Sequence, residues 1–198
     1  MSKKGIAQGQ KAAIAPEHVV AIKAYLEAHG STRDRCLFAV SVDSMLRGCD
    51  FVRLRVGDVL DSTGNVLESF SVVQGKVSSG QAKPVVCYLT AATRSVVARH
   101  VQGKDRTEPL FTGKGRQRSM STAQVRNLLK GWVEAVGLDR AAHSAHSLRR
   151  TKASALYRAT RDLELVRKAL GHAYLTSTQH YLAVGQDEVA NACLGMSM

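Results

Sequence analysis

The chain has 198 residues, of which 44% are hydrophobic, and this length and composition favour one globular domain. It carries 28 Lys and Arg against 16 Asp and Glu, so its formal net charge is +12. No apolar run approaches the ~20 residues of a membrane span, and no signal-peptide stretch follows the basic N-terminus. The charge predicts a polyanionic partner, most often nucleic acid; the alternative is a basic protein without such a partner.

The four cysteines stand singly, with no CxxC pair and no histidine at zinc-finger spacing. This pattern argues against a structural zinc site and against a disulfide framework. We expect reduced thiols, mostly buried, in a cytoplasmic protein. The residues concerned are Cys36, Cys49, Cys87 and Cys193.

In the first half of the chain, residues 1–15 are polar and basic and predict a flexible arm. Pro16 and Gly30 are start and stop signals for a first helix, and a second helix is expected at about 32–46, followed by a short helical turn. Beyond Asp58 the chain is rich in Val, Ser and Thr and is interrupted by glycines. That composition predicts two or three short antiparallel strands, near 58–61, 66–74 and 83–89.

Helical periodicity returns at Thr90 and continues almost to the end of the chain. The expected N-caps are Thr122, Ser147 and Asp162, and Gly137 and Gly171 are expected stops. The predicted fold is therefore mainly α with a small antiparallel β-sheet (α+β), with one domain over 16–185 and a tail helix in 186–198. The expected helices lie near 91–102, 122–136, 147–159, 162–170, 175–183 and 186–194.

Candidate functional residues lie at the ends of these elements. Arg47 follows an apolar helix, where a simple C-terminal helix charge is the alternative. Lys76 lies in the hairpin region, where lysines are usually solvated. His146 and Arg149 fall at the start of a helix, whose free N–H groups favour an anion such as phosphate; an ordinary basic surface helix is the alternative.

Two histidines close together in the sequence raise the question of a metal site. His143 and His146 have no third ligand nearby in the sequence, so we expect no metal there.

The stretch "LGHAYLTSTQHYL" places His172 after a helix end and Tyr181 on the next helix, whereas Tyr174 falls in the connection. A phenol with a pKa near 10 is a poor nucleophile unless its surroundings help it.

The order Arg, Lys, His-x-x-Arg, Gly-His, Tyr resembles the tyrosine recombinase (phage integrase) family over roughly residues 30–185. "MLRGCDFVRLRVGDV" resembles the family's first arginine motif, GLRxxELxxLxxxD. "HSLRRT" resembles HxLRHT, with Arg150 where a second histidine is common, and "LGHAYLTSTQHYL" resembles LGHxxxxxTxxYL. The residues that follow Lys76 differ from the Thr-Gly that often follows the lysine in the family, so Lys83 in the same hairpin is an alternative.

The resemblance implies a catalytic domain that cleaves and rejoins DNA through a 3′-phosphotyrosine, without a metal or any other cofactor. It implies that Tyr181 attacks phosphorus and that Lys76 protonates the departing 5′ oxygen. Two arginines would bind the phosphate and two histidines would add hydrogen bonds and help with the tyrosine proton. These four residues are Arg47, Arg149, His146 and His172.

Few residues precede the motifs, so the resemblance is to short, catalytic-domain-only members. The implied partners are double-stranded DNA, further copies of the chain in a tetramer on DNA, and an accessory DNA-bending protein, with no membrane. An apolar stripe in 186–198 would pack on a neighbouring copy or on its own domain. Basic residues expected to contact phosphates, or simply solvent, are Lys3, Lys4, Lys11, Lys114, Arg116 and Arg118.

The expected activity is site-specific recombination, whether integration, excision or inversion, by a bacterial or phage protein associated with the nucleoid. Two alternatives stay open at this point. One is a DNA-binding or regulatory module that keeps the fold and does not cut DNA. The other is a type IB-like topoisomerase, which shares the chemistry and acts as a monomer.

Overall fold

The computed structural model describes residues 11–75, 84–113 and 118–182. Within them the chain is mainly helical with a two-stranded antiparallel sheet, which confirms the predicted fold class. None of the helices in these ranges is both long and apolar enough to cross a bilayer. The helices are α1 (Pro16–His29), α2 (Thr32–Ser44), α3 (Gly48–Phe51), α4 (Ala91–Val101), α5 (Thr122–Ala135), α6 (Ala145–Thr160), α7 (Leu163–Leu170) and α8 (Leu175–Leu182).

Serine caps fix the starts of α5 and α6, although not at the predicted residues. Ser121 rather than Thr122 caps α5, and its hydroxyl accepts from the Gln124 N–H. Ser144 rather than Ser147 caps α6, because Ser147 occupies the third helical position and its hydroxyl accepts from the Ser144 N–H at 3.0 Å. Such a reciprocal capping box satisfies two helix donors at once and so outweighs a single cap. The predictions of Thr122 and Ser147 as caps are wrong by one and three residues.

The C-terminal helices agree more closely with the sequence. Asp162 caps α7 as predicted, its carboxylate accepting from the Leu165 N–H at 2.9 Å. Gly171 ends α7 in the left-handed conformation with φ 63°, also as predicted. Gly137 follows α5 with φ 78°. The predicted helix 186–194 lies outside the described residues.

The sheet consists of β1 (Ser69–Val73) and β2 (Pro84–Tyr88), paired from Ser69 opposite Tyr88 to Val73 opposite Pro84. Both strands lie within predicted ranges. A third strand at 58–61 does not form: Val56–Val59 is a 3₁₀ helix, and Leu60 makes an isolated antiparallel bridge to Val66. The start of this 3₁₀ helix is stabilised by the Asp58 carboxylate, which accepts from the Arg55 N–H at 2.8 Å. That local bond offers the backbone an alternative to strand pairing.

In the described ranges, two groups of buried apolar residues hold the domain together. The larger group, the main core, packs helices α1 to α5 against the sheet and includes Phe38 edge-on to Trp132 and Phe51 stacked on Phe111. The smaller group, the C-terminal cluster, joins the end of α2 to α6, α7 and α8. Its five buried members are Met45, Ala153, Val166, Leu170 and Leu182.

Residues 11–15, the last part of the predicted arm, lie against the domain. Ile14 is buried, and its N–H donates to the Thr151 hydroxyl at 3.0 Å. The Lys11 carbonyl accepts from Arg150 at 2.7 Å. These residues differ from the predicted arm, because the Ile14 side chain is buried in the main core and two backbone groups bond to side chains of α6. Residues 1–10 lie outside the described ranges.

The cysteines agree with the sequence interpretation in the described part of the chain. Cys36, Cys49 and Cys87 are free thiols; Cys36 and Cys87 are buried and Cys49 is exposed. Burial raises the pKa of the Cys36 and Cys87 thiols to about 12. These two thiols are therefore protonated and unreactive at neutral pH. Cys193 lies outside the described residues.

Candidate active site

Arg149 is the buried centre of the candidate site. It lies in the second turn of α6 and is only 3% exposed. Its guanidinium donates to the Met45 carbonyl and to the Leu170 carbonyl, both at 2.6 Å. These carbonyls lie at the ends of α2 and α7, where Met45 and Gly171 take left-handed conformations. Carbonyls at helix C-termini carry partial negative charge, so they favour a buried cation.

His172 contacts Arg149 and α8 at the same time. Its Nε2 lies 3.3 Å from Arg149 Nη2, and its Nδ1 lies 3.0 Å from the hydroxyl of the buried Thr178. A guanidinium can only donate, so Nε2 is the acceptor and the imidazole proton lies on Nδ1, where it is donated to Thr178. The contacts of one histidine therefore fix its tautomer.

Electrostatics keep His172 neutral. Loss of hydration, followed by the charges of Arg149, Arg47 and Arg167, lowers the pKa of His172 to about 4. Arg167 also donates to the His172 carbonyl at 2.6 Å, and Glu164 pairs with the same guanidinium at 2.6 Å. All the named charges that shift this pKa are arginines. A site with that surplus of positive charge favours an anion.

Arg47 reaches the same place from the start of α3. It is half-buried, and its Nη1 donates to the side-chain oxygen of Gln74, at the end of β1. The Gln74 amide nitrogen in turn lies 3.4 Å from the Leu170 carbonyl, which also binds Arg149. The two arginines predicted from the sequence are thus joined through one glutamine and one carbonyl oxygen. Sequence analysis missed Gln74, and only its position two residues before Lys76 marks it.

His146 lies in the first turn of α6, beside the same arginines. Its ring is exposed at the rim, but partial loss of hydration and the charges of Arg149, Arg150 and Arg47 lower its pKa below the ordinary histidine value. These effects favour the neutral form of the imidazole. The structure brings His146 together with Arg149, Arg47 and His172, as four of the six predicted site residues.

The remaining two predicted residues stand differently. Tyr181 lies on α8 one turn after Thr178, whose hydroxyl bonds His172. Lys76 and its alternative Lys83 lie outside the described residues. The residue before Lys76 is fixed, because the Gly75 N–H donates to the buried Asp50 carboxylate at 2.9 Å.

The other basic candidates are only partly described. The Lys11 ammonium donates to the Ala141 carbonyl at 2.7 Å, and Arg118 is exposed. Lys3, Lys4, Lys114 and Arg116 lie outside the described residues. In the described ranges no three His, Cys, Asp or Glu side chains come together as a metal site. His143 instead bonds the Asp139 carbonyl through Nδ1 at 3.0 Å.

Known proteins of one family are similar to this chain in sequence. The model of the phage integrase family matches residues 13–188. Tyrosine recombinase XerC of Chromobacterium violaceum is 30% identical over 165 residues, which are 83% of this chain and 52% of that protein. The chain therefore spans about half the length of the relatives it matches.

Solved structures show the same fold at low sequence identity. The crystal structure of XerA recombinase superposes with a TM-score of 0.74 at 15% identity, covering 96% of this chain and 66% of that one. XerH site-specific recombinase, bound to the palindromic difH substrate after cleavage, gives 0.69 at 20% identity, covering 96% and 56%. At these identities the likeness concerns the fold.

Proposed function

Because the chain belongs to the phage integrase family, we propose that it carries the catalytic domain of a tyrosine-type site-specific DNA recombinase. Its substrate is double-stranded DNA, which fits the net charge of +12. The similar XerH was crystallised bound to its difH substrate, which supports the same class of partner here. The catalytic domain spans 16–185.

One observation carries the proposal. Arg149 binds the Leu170 carbonyl at the end of α7 and contacts His172, and Gln74 joins Arg47 to the same carbonyl. The next helix, α8, carries Tyr181. A phosphodiester has one negative charge and gains more as a nucleophile adds to phosphorus. Guanidinium groups offer planar pairs of donors to the non-bridging oxygens. Removing one well-placed donor of this kind costs about 3 kcal/mol of transition-state stabilisation in other enzymes.

The proposed chemistry balances without a cofactor. The Tyr181 oxygen forms a bond to phosphorus while the bond from phosphorus to the 5′ oxygen breaks. The phenol proton passes to a neutral imidazole, His146 or His172, and Lys76 (or Lys83) gives a proton to the 5′ oxygen. The phosphotyrosine keeps the bond energy, so a second 5′ hydroxyl can reverse the step and rejoin the strand.

The proposed strand exchange needs several copies of the chain on DNA. Exchange between two duplexes needs four active sites, so we propose a homotetramer on DNA, with the tail 186–198 as a contact between neighbouring copies. An accessory DNA-bending protein would give the reversible reaction a direction. The products can be integration, excision or inversion of a segment.

The nucleophile is tested by covalent capture. The protein is mixed with random duplexes that each carry one nick, so that cleavage beside the nick releases a short strand and traps the enzyme on DNA. Adducts that survive denaturation are isolated and sequenced, which also yields the target site. We expect adducts from the wild type and from Tyr174→Phe, whose exposed ring lies before α8, and none from Tyr181→Phe.

Binding and strand exchange complete the test. Tyr181→Phe should bind the selected site with an affinity within about twofold of wild type, because the phenol hydroxyl is one small group in a large interface. An adduct formed by Tyr181→Phe would disprove the assignment of the nucleophile. Two differently labelled duplexes should yield joint products; relaxation of supercoils without joint products would indicate a topoisomerase instead.

A further inference from the structure

Gln74 occupies a position between the two arginines. It is 3% exposed, although it lies at the end of an edge strand. Its side-chain oxygen accepts from Arg47, and its amide nitrogen faces the Leu170 carbonyl at 3.4 Å. That carbonyl also accepts from Arg149 at 2.6 Å. The contacts form one continuous path from Arg47 through Gln74 to Arg149.

Only an amide satisfies both ends of this path. A carboxamide presents an acceptor to the guanidinium and a donor to the carbonyl. A carboxylate would accept from Arg47 but would face the Leu170 oxygen with a second acceptor. An apolar side chain of the same length would leave both partners unsatisfied, which is costly at a buried position. The residue type is therefore matched to its two neighbours.

The backbone around Gln74 is fixed from two sides. The next residue, Gly75, donates its N–H to the buried Asp50 carboxylate at 2.9 Å. Across the contact, Gly171 takes φ +63°, and a Cβ there would lie 2.2 Å from a Val85 methyl and 3.2 Å from the Gln74 amide nitrogen. Gly171 therefore lets the end of α7 approach both β2 and Gln74 closely.

We propose that Gln74 is a positioning residue for DNA cleavage, which holds the Arg47 guanidinium at a fixed place relative to Arg149. This inference rests on the proposed function, since it concerns the same phosphate site. Gln74 does not touch the reacting atoms. It acts by keeping the half-buried Arg47 in one rotamer before DNA arrives, so that less ordering is needed when the phosphate binds.

The first test compares two substitutions at position 74. Single-turnover cleavage of the nicked site should slow by about 10- to 100-fold in Gln74→Met, because small misplacements of a catalytic group cost rates of this order. Gln74→Glu should be slower still, because its carboxylate would pair with Arg47 and neutralise the charge intended for the phosphate. The control is Gln102→Met, at an exposed glutamine after α4, which should cleave at the wild-type rate. Thermal unfolding and DNA affinity establish that each variant is folded and binds DNA.

The second test asks whether Gln74 acts through Arg47. In an Arg47→Lys background, adding Gln74→Met should change the remaining rate by less than about twofold, because residues that act together are not additive. A role of Gln74 in folding alone would give the same loss in both backgrounds.

The outcomes separate this inference from the proposed function. If the wild type and Gln102→Met form no adduct, the proposed function fails. If they do, but Gln74→Met cleaves at the wild-type rate, only the inference fails. Equal or faster cleavage by Gln74→Glu than by Gln74→Met would overturn it as well, and so would an undiminished effect of Gln74→Met in the Arg47→Lys protein.

Discussion

The main core and the C-terminal cluster bury apolar residues in the same way, but they serve different ends. The main core gathers large side chains such as Phe38 and Trp132 and extends across most of the elements. The C-terminal cluster has five buried members, and two of them, Met45 and Leu170, also supply the carbonyls that bind Arg149. We infer from this difference that packing in the C-terminal cluster sets the geometry of the site, whereas the main core mostly sets stability.

A matched pair of substitutions would break this comparison most directly. Leu129 in the main core and Leu170 in the C-terminal cluster are both fully buried. Each Leu→Ala change should lower the free energy of unfolding by about 3 kcal/mol, through lost burial and the cavity left behind. Only Leu170→Ala should also slow cleavage by the folded protein, by about tenfold, because the carbonyl that holds Arg149 moves with its residue.

The measurements are denaturant unfolding and single-turnover cleavage at a temperature where both variants are folded. Equal cleavage rates of the two variants would show that the C-terminal cluster does not control the geometry of the site more than the main core does. Slower cleavage by Leu129→Ala than by the wild type would show that the main core also controls the geometry of the site.

A smaller effect is expected at the bond between His172 and α8. Thr178→Val keeps the shape of the buried side chain and removes its hydroxyl, which costs about 1 kcal/mol of stability. The imidazole then loses the partner that holds its Nδ1 proton, so cleavage should fall by about tenfold. Thr176→Val, at an exposed position of the same helix, is the control and should change neither quantity.

Nitrogen NMR of His172 shows which ring nitrogen carries the proton in each protein. The wild type and Thr178→Val should both show the tautomer protonated on Nδ1, because Arg149 donates to Nε2 in each. A mixture of tautomers in Thr178→Val would mean that the Thr178 hydroxyl, and not Arg149 alone, determines the tautomer.

The smallest expected effect is the dependence of stability on pH. The pKa of His172 is about 4 in the folded chain, against an ordinary value of 6.5. Between these values the unfolded chain binds a proton that the folded chain does not, so stability falls as the pH drops from about 6.5 to about 4. Allowing for solvent screening at this half-buried ring, the loss due to His172 is about 1 kcal/mol.

Other histidines share the sign, since the pKa values of His100 and His146 are also lowered. The measurement is therefore a difference: urea unfolding of the wild type and of His172→Gln at several pH values. The wild type should lose about 1 kcal/mol more across the window. Parallel curves would show that the arginines around His172 do not suppress its protonation.

Much of the fold could be read from local signals. Pro16 and Asp162 begin their helices and Gly171 ends one, because caps and stops act within a single turn. Errors arose where two local solutions compete. Ser144 and Ser147 both suit the start of α6, and the reciprocal bond between them decides the cap. At 56–59 a carboxylate bond to the backbone favours a 3₁₀ turn over a strand of similar composition.

By itself, the sequence determined the order and chemical types of the candidate site residues and the helical class, since motifs and caps are local. Tertiary structure alone decided that Arg149 lies buried between two helix ends, that His172 carries its proton on Nδ1, and that Gln74 joins the arginines. The physical reason is that Arg149 and Gln74 bind carbonyl oxygens, and that His172 takes its tautomer from its contact with Arg149. Every residue has a carbonyl, so only the packing of α6 against α2 and α7 selects those of Met45 and Leu170.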